Sequence, residues 1–149
     1  MNVSLKLAER HESKFLIEFL CNITGENHRK LATQYVEAIH SNFFRKPCFV
    51  IAKHHEEIIG CASYTEEFFT VNVWGISWVC VREDFRNKGI GKRIIEEVLS
   101  QIRGKISSPV TVILDTYPNK TGLYDNAGFK FLGHDHEGGS FMTLTLNPL

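Results

Sequence analysis

Two glycines among four cationic side chains form the segment of this sequence best suited to chemistry. Gly89 and Gly91 lie between an apolar run, residues 74–81, and a helical apolar pattern over residues 90–103. The first turn of a helix leaves backbone N–H groups unpaired and carries partial positive charge, so it attracts anions. Because glycine has no side chain that would keep a phosphate away, the segment predicts a site for a phosphate-bearing ligand. The cationic side chains around it are Arg86, Lys88, Lys92 and Arg93.

Two common nucleotide-binding motifs do not fit this segment. A P-loop requires Ser or Thr after its Gly-Lys pair, and here Arg93 follows Gly91 and Lys92. A dinucleotide fingerprint requires a third glycine three residues after the second, where this chain has Ile94. The segment therefore belongs to neither class of nucleotide-binding loop.

What the segment does match is Arg-x-x-Gly-x-Gly after a strand that ends in valine. At this point the chain resembles the GNAT N-acetyltransferase superfamily. A second match follows downstream, where Leu114-Asp115-Thr116 precedes a segment similar to the family's Leu/Phe-Tyr-x-x-x-Gly-Phe. That segment reads Leu123-Tyr124-Asp125-Asn126-Ala127-Gly128-Phe129. The alternative is a surface turn with scattered lysines, which two family motifs in the right order disfavour.

The resemblance implies that the ligand is acetyl-CoA, used as a co-substrate. It implies that the loop holds the pyrophosphate on backbone amides, while the pantetheine arm runs along the end of the preceding strand. A bulky residue at Gly89 or Gly91 is then expected to weaken donor binding without unfolding the protein. The donor-binding residues that the resemblance implies are Val79, Cys80, Val81, Arg86, Asn87, Lys88, Gly89, Ile90, Gly91 and Lys92.

Acetyl transfer to an amine requires a proton donor for the departing thiolate. Tyr124 stands at the family's position for that acid, and a phenol, whose ordinary pKa is about 10, stays protonated at neutral pH. Tyr117 is an internal rival, but it lacks the Gly-Phe pair that follows Tyr124 at the family's spacing. Without the motif, Tyr124 would be interpreted as a residue packed beneath the last hairpin. With the motif, the catalytic role is favoured.

The base that would take a proton from the acceptor amine has a weaker match. Many family members carry Glu or His nine residues before the loop arginine, where this chain has Ser77. Asp115, at a place where some members carry an acid, is the leading candidate base, followed by Glu66 and Glu67. Local pairing at a strand end is the alternative role for Asp115. An amine that arrives partly neutral would need no base.

The elements that must position these residues follow in the order β-α-α-β-β-β-α-β-α-β-β. This order predicts an α/β fold with one twisted mixed sheet of six to seven strands and helices on both faces, as in the GNAT fold. One domain is expected over residues 1–149, and Gly75 inside the central strand predicts a bulge or a close ligand approach. The predicted strands cover residues 3–7, 48–53, 58–64, 71–81, 110–114 (buried on both faces), 129–132 and 141–146. The predicted helices cover residues 9–20, 27–43, 90–103 and 121–126.

Composition excludes several functions and locations. The 17 basic and 17 acidic residues cancel, which argues against a nucleic-acid binder. No apolar run is long enough to span a membrane and charges begin at Lys6, so a cytoplasmic location without a signal peptide is expected. The four cysteines lack CxxC spacing and are expected to be reduced core residues. No metal is expected, because neither His54-His55 nor the His134–Glu137 segment has a third ligand at fixed spacing.

The leading hypothesis is an N-acetyltransferase that moves the acetyl group of acetyl-CoA to a primary amine, by direct attack in a ternary complex. An acyl-enzyme on Cys80 is disfavoured, because no histidine adjoins it in sequence. The alternative is a non-catalytic acyl-CoA-binding or sensing module, which the missing acid at Ser77 keeps open. The acceptor is a small-molecule or peptide amine of unspecified identity, and a homodimer is left open.

Overall fold

One sheet of seven strands organises the computed structural model, which describes residues 1–149. The strands are β1 (Ser4–Leu7), β2 (Cys48–His54), β3 (Glu57–Glu66), β4 (Val73–Val81), β5 (Val110–Thr116), β6 (Lys130–His134) and β7 (Ser140–Leu146). Their order across the sheet is β1-β2-β3-β4-β5-β7-β6, and β4 with β5 is the parallel pair. The predicted α/β class and the mixed sheet are confirmed.

Four α-helices cover the two faces of this sheet: α1 (Ser13–Thr24), α2 (Arg29–Ala38), α3 (Ile90–Arg103) and α4 (Gly122–Asn126). Cys61 of β3 packs in a core cluster with α1 and α2, whereas its neighbour Ala62 packs in the cluster with α3 and Tyr124. Successive strand residues point to opposite faces, so these clusters define an α1/α2 face and an α3 face. None of the helices combines the length and apolar character needed to cross a membrane.

The parallel pair β4–β5 is joined along only part of its length. Val73–Gly75 pairs with Thr111–Ile113, and β4 then continues to Val81 without a partner on that side. The two strands therefore separate toward their carboxyl ends and leave a gap between them. On the α1/α2 face Ile113 stays half-exposed, so the prediction that residues 110–114 are buried on both faces is wrong. Neither α1 nor α2 reaches far enough across the sheet to cover this strand.

A β-bulge interrupts β4 just before the gap. Cys61 lies opposite Cys80, but Ser63 lies opposite Ser77, so three steps along β4 match two along β3. Trp78 lies in the bulge and has a left-handed φ of 53°. The bulge predicted at Gly75 thus lies at Trp78, while Gly75 accommodates a close approach by the Glu67 side chain.

Two predicted boundaries differ from the structure in ways that affect the site. Helix α2 ends at Ala38 rather than near residue 43, because the chain turns at Ser41 and Asn42, which are weak helix formers. Strand β5 extends to Thr116, since its pairing with β7 continues as far as Ser140. Asp115 is therefore held inside a strand rather than in a loop.

Candidate active site

The loop that joins β4 to α3 is pinned at both ends and open in its middle. Phe85, in a short 3-10 turn, is buried, and so is Ile90, the first residue of α3. Residues 86–89 pass over the surface between them, and together with Ile90 and Gly91 they form the glycine loop (residues 86–91). Gly89 has a φ of 77°, a left-handed conformation that favours glycine, and a side chain built there would meet nothing within 4 Å. The loop therefore leaves free space in front of the helix N-terminus.

The backbone amides of this loop have no partners within the protein. None of the N–H groups of residues 87–92 donates to a backbone or side-chain acceptor. The helical ladder begins only at Arg93, whose N–H donates to the carbonyl of Gly89 at 3.1 Å. Within the glycine loop only Arg86 differs, because its N–H donates to the carbonyl of Glu83 at 3.2 Å. A run of unpaired N–H groups at a helix start is the geometry that binds phosphate.

The four cationic side chains near the loop do not all serve it. Arg86 donates through Nε to the carbonyl of Val81 at 2.9 Å, and so ties the loop to the end of β4. Lys88 lies over the ring of Phe85, with its Nζ 5.5 Å from the centroid. Lys92 has only a long surface pair with Glu96 at 3.8 Å. Arg93 instead donates to the carbonyl of Val3 at 3.0 Å, so its guanidinium is tied to the N-terminal segment rather than to the loop.

Residues 79–81 form an open strand edge beside the loop. The N–H of Arg82 donates to Ile59 of β3 at 2.8 Å. In an antiparallel pair, successive residues direct their N–H and C=O groups alternately toward and away from the partner strand. Because Arg82 bonds β3, the N–H and C=O groups of Val81 point away from β3 and toward the gap. An extended ligand with amide groups can pair with this edge, although the carbonyl of Val81 is already used by Arg86.

Tyr124 projects from α4 into the core on the α3 face. Its side chain is 6% exposed and packs edge-to-face against Phe129 at 6.0 Å. Burial, with a smaller effect of the nearby Cys80 thiolate, raises the pKa of Tyr124 to about 12, so its hydroxyl is protonated at neutral pH. Its rival Tyr117 is 70% exposed and lies beside Lys120.

Asp115 and Asp135 form a close carboxyl pair at the end of β5. Asp135 Oδ1 accepts the N–H groups of Glu137 and Gly139, both at 2.8 Å, which fixes the β6–β7 turn. A side chain at Gly139 would meet both carboxyl groups, so glycine allows them to approach. Partial loss of hydration and the hydrogen bond with Asp135 raise the pKa of Asp115, and that hydrogen bond lowers the pKa of Asp135. Of the two carboxyl groups, Asp115 is therefore the weaker acid and takes up a proton first as the pH falls.

Ser77 occupies the α1/α2 face where many relatives are expected to carry a base. Its hydroxyl lies 2.7 Å from that of Ser63, which also donates to the Ser77 carbonyl at 3.1 Å. Next to it, Trp78 packs edge-to-face against Tyr35 of α2 at 5.8 Å. This part of the site thus supplies hydroxyls and an aromatic wall but no carboxylate or imidazole that could act as a base.

Cys80 has an environment that sequence reasoning missed. The neighbouring Cys61 thiol, whose Sγ also lies 3.3 Å from the Trp78 carbonyl, and then the positive charges of Arg86 and Lys120 lower the pKa of Cys80. Burial raises the pKa of Cys61 well above its ordinary value, which keeps it a donor. No histidine adjoins Cys80, and the groups that act on its thiol come from β3, the glycine loop and the segment after β5.

A cavity of about 880 Å³ lies outside this site. It is a groove between α1 and the β2–β3 hairpin, lined by Phe15, Lys53 and Arg82 among others. It reaches the glycine loop only through Arg86, and neither Tyr124 nor Asp115 borders it. This groove is therefore separate from the gap between β4 and β5.

Comparison with known proteins finds one matching family and two curated relatives. The acetyltransferase (GNAT) family matches residues 15–129. The uncharacterized N-acetyltransferase ycf52 of Gracilaria tenuistipitata var. liui is 26% identical over 114 residues, which are 76% of this chain and 59% of the relative. The uncharacterized N-acetyltransferase CT2212 of Chlorobaculum tepidum is 29% identical over 82 residues, 55% of this chain and 49% of the relative. The chain thus matches only about half of the length of these curated relatives.

Solved structures share the fold along nearly the whole chain. A GNAT acetyltransferase from Staphylococcus aureus Mu50 superposes with a TM-score of 0.79 at 18% identity, covering 98% of this chain and 100% of the other. YhbS from Escherichia coli, a GNAT N-acetyltransferase in complex with CoA, has a TM-score of 0.77 at 15% identity and covers 98% and 82%. An aminoglycoside 6'-N-acetyltransferase complexed with coenzyme A has a TM-score of 0.76 at 15% identity and covers 100% and 99%. At these identities the likeness establishes the fold alone.

Proposed function

Because the chain belongs to the acetyltransferase (GNAT) family, we propose that it transfers the acetyl group of acetyl-CoA to a primary amine of a small molecule or peptide. The observation that carries this proposal is the run of unpaired N–H groups, residues 87–92, beside the open gap between β4 and β5. Two structural relatives were solved with coenzyme A, which supports the same class of donor.

Donor binding follows from the backbone more than from side chains. The diphosphate of coenzyme A carries negative charge that the N–H groups of residues 87–92 and the start of α3 would stabilise. Gly89 leaves the space, and Arg86, Lys88 and Lys92 add positive charge. The pantetheine arm would then extend along Val79–Val81, whose open edge offers hydrogen-bonding groups to its amides.

The proposed reaction is a direct attack across the gap. The amine nitrogen attacks the thioester carbonyl carbon, the C–S bond breaks, and the departing thiolate takes a proton from the Tyr124 hydroxyl. Asp115, as a carboxylate, takes a proton from the amine. Tyr124 packs on the α3 face, whereas Asp115 follows the half-exposed Ile113 on the α1/α2 face. Acid and base would thus act from opposite faces of the sheet.

The test is a screen of primary amines with acetyl-CoA, in which free thiol is measured. We expect thiol release with at least one acceptor. Tyr124→Phe should lower kcat about a hundredfold, because it removes the proton donor, while acetyl-CoA affinity stays near that of the wild type. Full turnover by Tyr124→Phe would contradict the role of Tyr124 as the acid.

A second candidate function is a non-catalytic acyl-CoA-binding or sensing module. The observation in its favour is Ser77, an uncharged residue already paired with Ser63 where a base would stand. The same screen separates the two functions. Tight acetyl-CoA binding without thiol release on any amine would support the module, and turnover would exclude it.

A further inference from the structure

The two glutamates at the end of β3 have different environments. Glu66 forms an ion pair with Arg45, with 3.7 Å between the carboxylate and guanidinium atoms. The Glu67 side chain has no ionic or hydrogen-bonding partner, although its backbone is fixed on both sides. Its N–H donates to Val73 at 2.9 Å, and its carbonyl accepts a hydrogen bond from Arg45. The backbone of Glu67 is therefore held in place by hydrogen bonds, while its carboxylate forms no ion pair.

The Glu67 carboxylate packs against the face of the sheet, directly over Gly75. A side chain at position 75 would collide with Glu67 Oε1 and would lie 3.3 Å from its Cδ. Gly75 does not have a positive φ, so its backbone conformation does not require glycine. What glycine provides here is the space into which Glu67 folds.

Gly75 and Glu67 belong to the α1/α2 face, at the point where β4 and β5 separate. Gly75 lies two residues before Ser77, so both point to the same face. Its register partner on β5 is Ile113, in the last pair before the gap opens, and Asp115 lies two residues further along β5 on that face. Two strand residues span about 7 Å, so Glu67 lies within one short acceptor molecule of both Ser77 and Asp115.

We propose that Glu67 is a specificity-determining residue that binds a positive charge of the acceptor, and that acceptors with a second cationic group are preferred. The inference rests on the proposed function, because it places the acceptor on the α1/α2 face. A half-buried carboxylate without a partner attracts a cation more strongly than an exposed one, since less water screens the pair. One ammonium group would pair with Glu67 while the other nitrogen, as the free amine, reaches the thioester near Ser77.

The test compares putrescine, a four-carbon diamine, with n-butylamine, a monoamine with the same number of carbons. We expect the wild-type enzyme to have the higher kcat/KM for putrescine. Glu67→Gln keeps the size of the side chain and removes its charge, so it should raise the KM for putrescine about tenfold with little change in kcat. The KM for n-butylamine should stay within about twofold, because a single amine does not use Glu67.

Two further variants control this experiment. Gly75→Ala should displace the Glu67 carboxylate and cause the same selective loss. Glu56→Gln should change neither amine, because Glu56 is an exposed glutamate of the β2–β3 turn, away from the gap. A melting temperature like that of the wild type shows that each variant is folded. Equal kcat/KM for the two amines in the wild type, turnover of neither amine, or equal losses in Glu67→Gln would overturn the inference.

Failure of this inference and failure of the proposed function give different results. Acetyl-CoA raises the melting temperature if the donor site exists, whichever amine is used. If acetyl-CoA stabilises the protein and other amines release thiol without a preference for diamines, only the role of Glu67 is wrong. If acetyl-CoA neither binds nor stabilises, the proposed function itself is wrong.

Discussion

At the scale of single residues, burial determines what Tyr124 can do. A phenol with a pKa of about 12 keeps its proton throughout the neutral range, so the proton is available at any pH at which the protein works. The same burial raises the free energy needed to ionise Tyr124 in the folded protein. The titration of Tyr124 is therefore linked to the stability of the fold.

We predict a loss of stability at high pH that depends on Tyr124. An unfolded tyrosine loses its proton near its ordinary pKa of about 10, while Tyr124 in the folded state holds it until about 12. The folded state then binds more protons, so the free energy of unfolding should fall by about 2 kcal/mol between these pH values. Urea unfolding from about pH 9 to about pH 12 measures this. Tyr124→Phe should show a shallower decline, and an equal decline in both proteins would contradict the prediction.

The Asp115–Asp135 pair leads to a prediction about activity at low pH. If Asp115 is the base, the acid limb of kcat follows its raised pKa. Asp135→Asn removes the neighbouring charge, so the pKa of Asp115 should fall and the acid limb should move to lower pH. Asparagine can still accept the N–H groups of Glu137 and Gly139, which preserves the turn. An acid limb that does not move in the pH–rate profile would exclude Asp115 as the group that controls it.

At the scale of elements, Gly89 and Gly91 have different roles at the start of α3. Gly89 has the left-handed φ and faces open space. Gly91 lies inside the helix, where a side chain would lie 3.4 Å from Leu123 of α4 and 3.8 Å from Val81. The first glycine shapes the anion site, while the second allows α3, α4 and β4 to pack closely. A bulky side chain at Gly91 should therefore also cost stability, unlike the prediction from sequence.

We predict that Gly89→Val weakens acetyl-CoA binding at least tenfold, because it strains the loop by about 1 kcal/mol and places methyl groups before the unpaired amides. Gly91→Ala should bind almost as tightly as the wild type, since its added methyl group only touches Leu123. Calorimetric titration with acetyl-CoA compares the two variants, and thermal melts show whether each is folded. Wild-type affinity in a folded Gly89→Val protein would exclude the loop as the diphosphate site.

At the scale of the whole molecule, the separation of β4 from β5 allows a small domain to hold a ligand inside its own sheet. The strands are joined by the pairing of Val73–Gly75 and then diverge, while β7 pairs with β5 along the full length of β5. The α3 face is sealed by a core of 21 buried residues, and the α1/α2 face leaves Ile113 partly open. The gap is thus accessible from the α1/α2 face.

Hydrogen exchange should detect this arrangement. Coenzyme A that pairs with the open edge of β4 and the amides of the loop should slow exchange in residues 79–81 and 87–92. The amides of β7 should change little, because they already pair with β5 and β6. Protection confined to the groove between α1 and the β2–β3 hairpin would instead place the ligand in that groove.

The sequence alone determined the features that depend on neighbours along the chain. The apolar spacing over residues 90–103 predicted α3 with its buried side, and the six apolar positions at that spacing are all buried. The loop, its glycines and the unpaired first turn follow directly from that helix, because a strand, a loop and a helix N-terminus in succession need no distant contact. Tyr124 was identified by its motif, and its burial depends on packing.

Only the tertiary structure decided which distant residues meet. The carboxyl pair of Asp115 and Asp135, the thiol of Cys61 beside Cys80, and the carboxylate of Glu67 over Gly75 all join different strands or loops. Periodicity along one strand gives the face of each side chain but not its partner across the sheet, since strand register and the bulge at Trp78 are set by pairing. Charge, hydration and hydrogen bonding act through space, so the chemistry of this cleft was settled by folding.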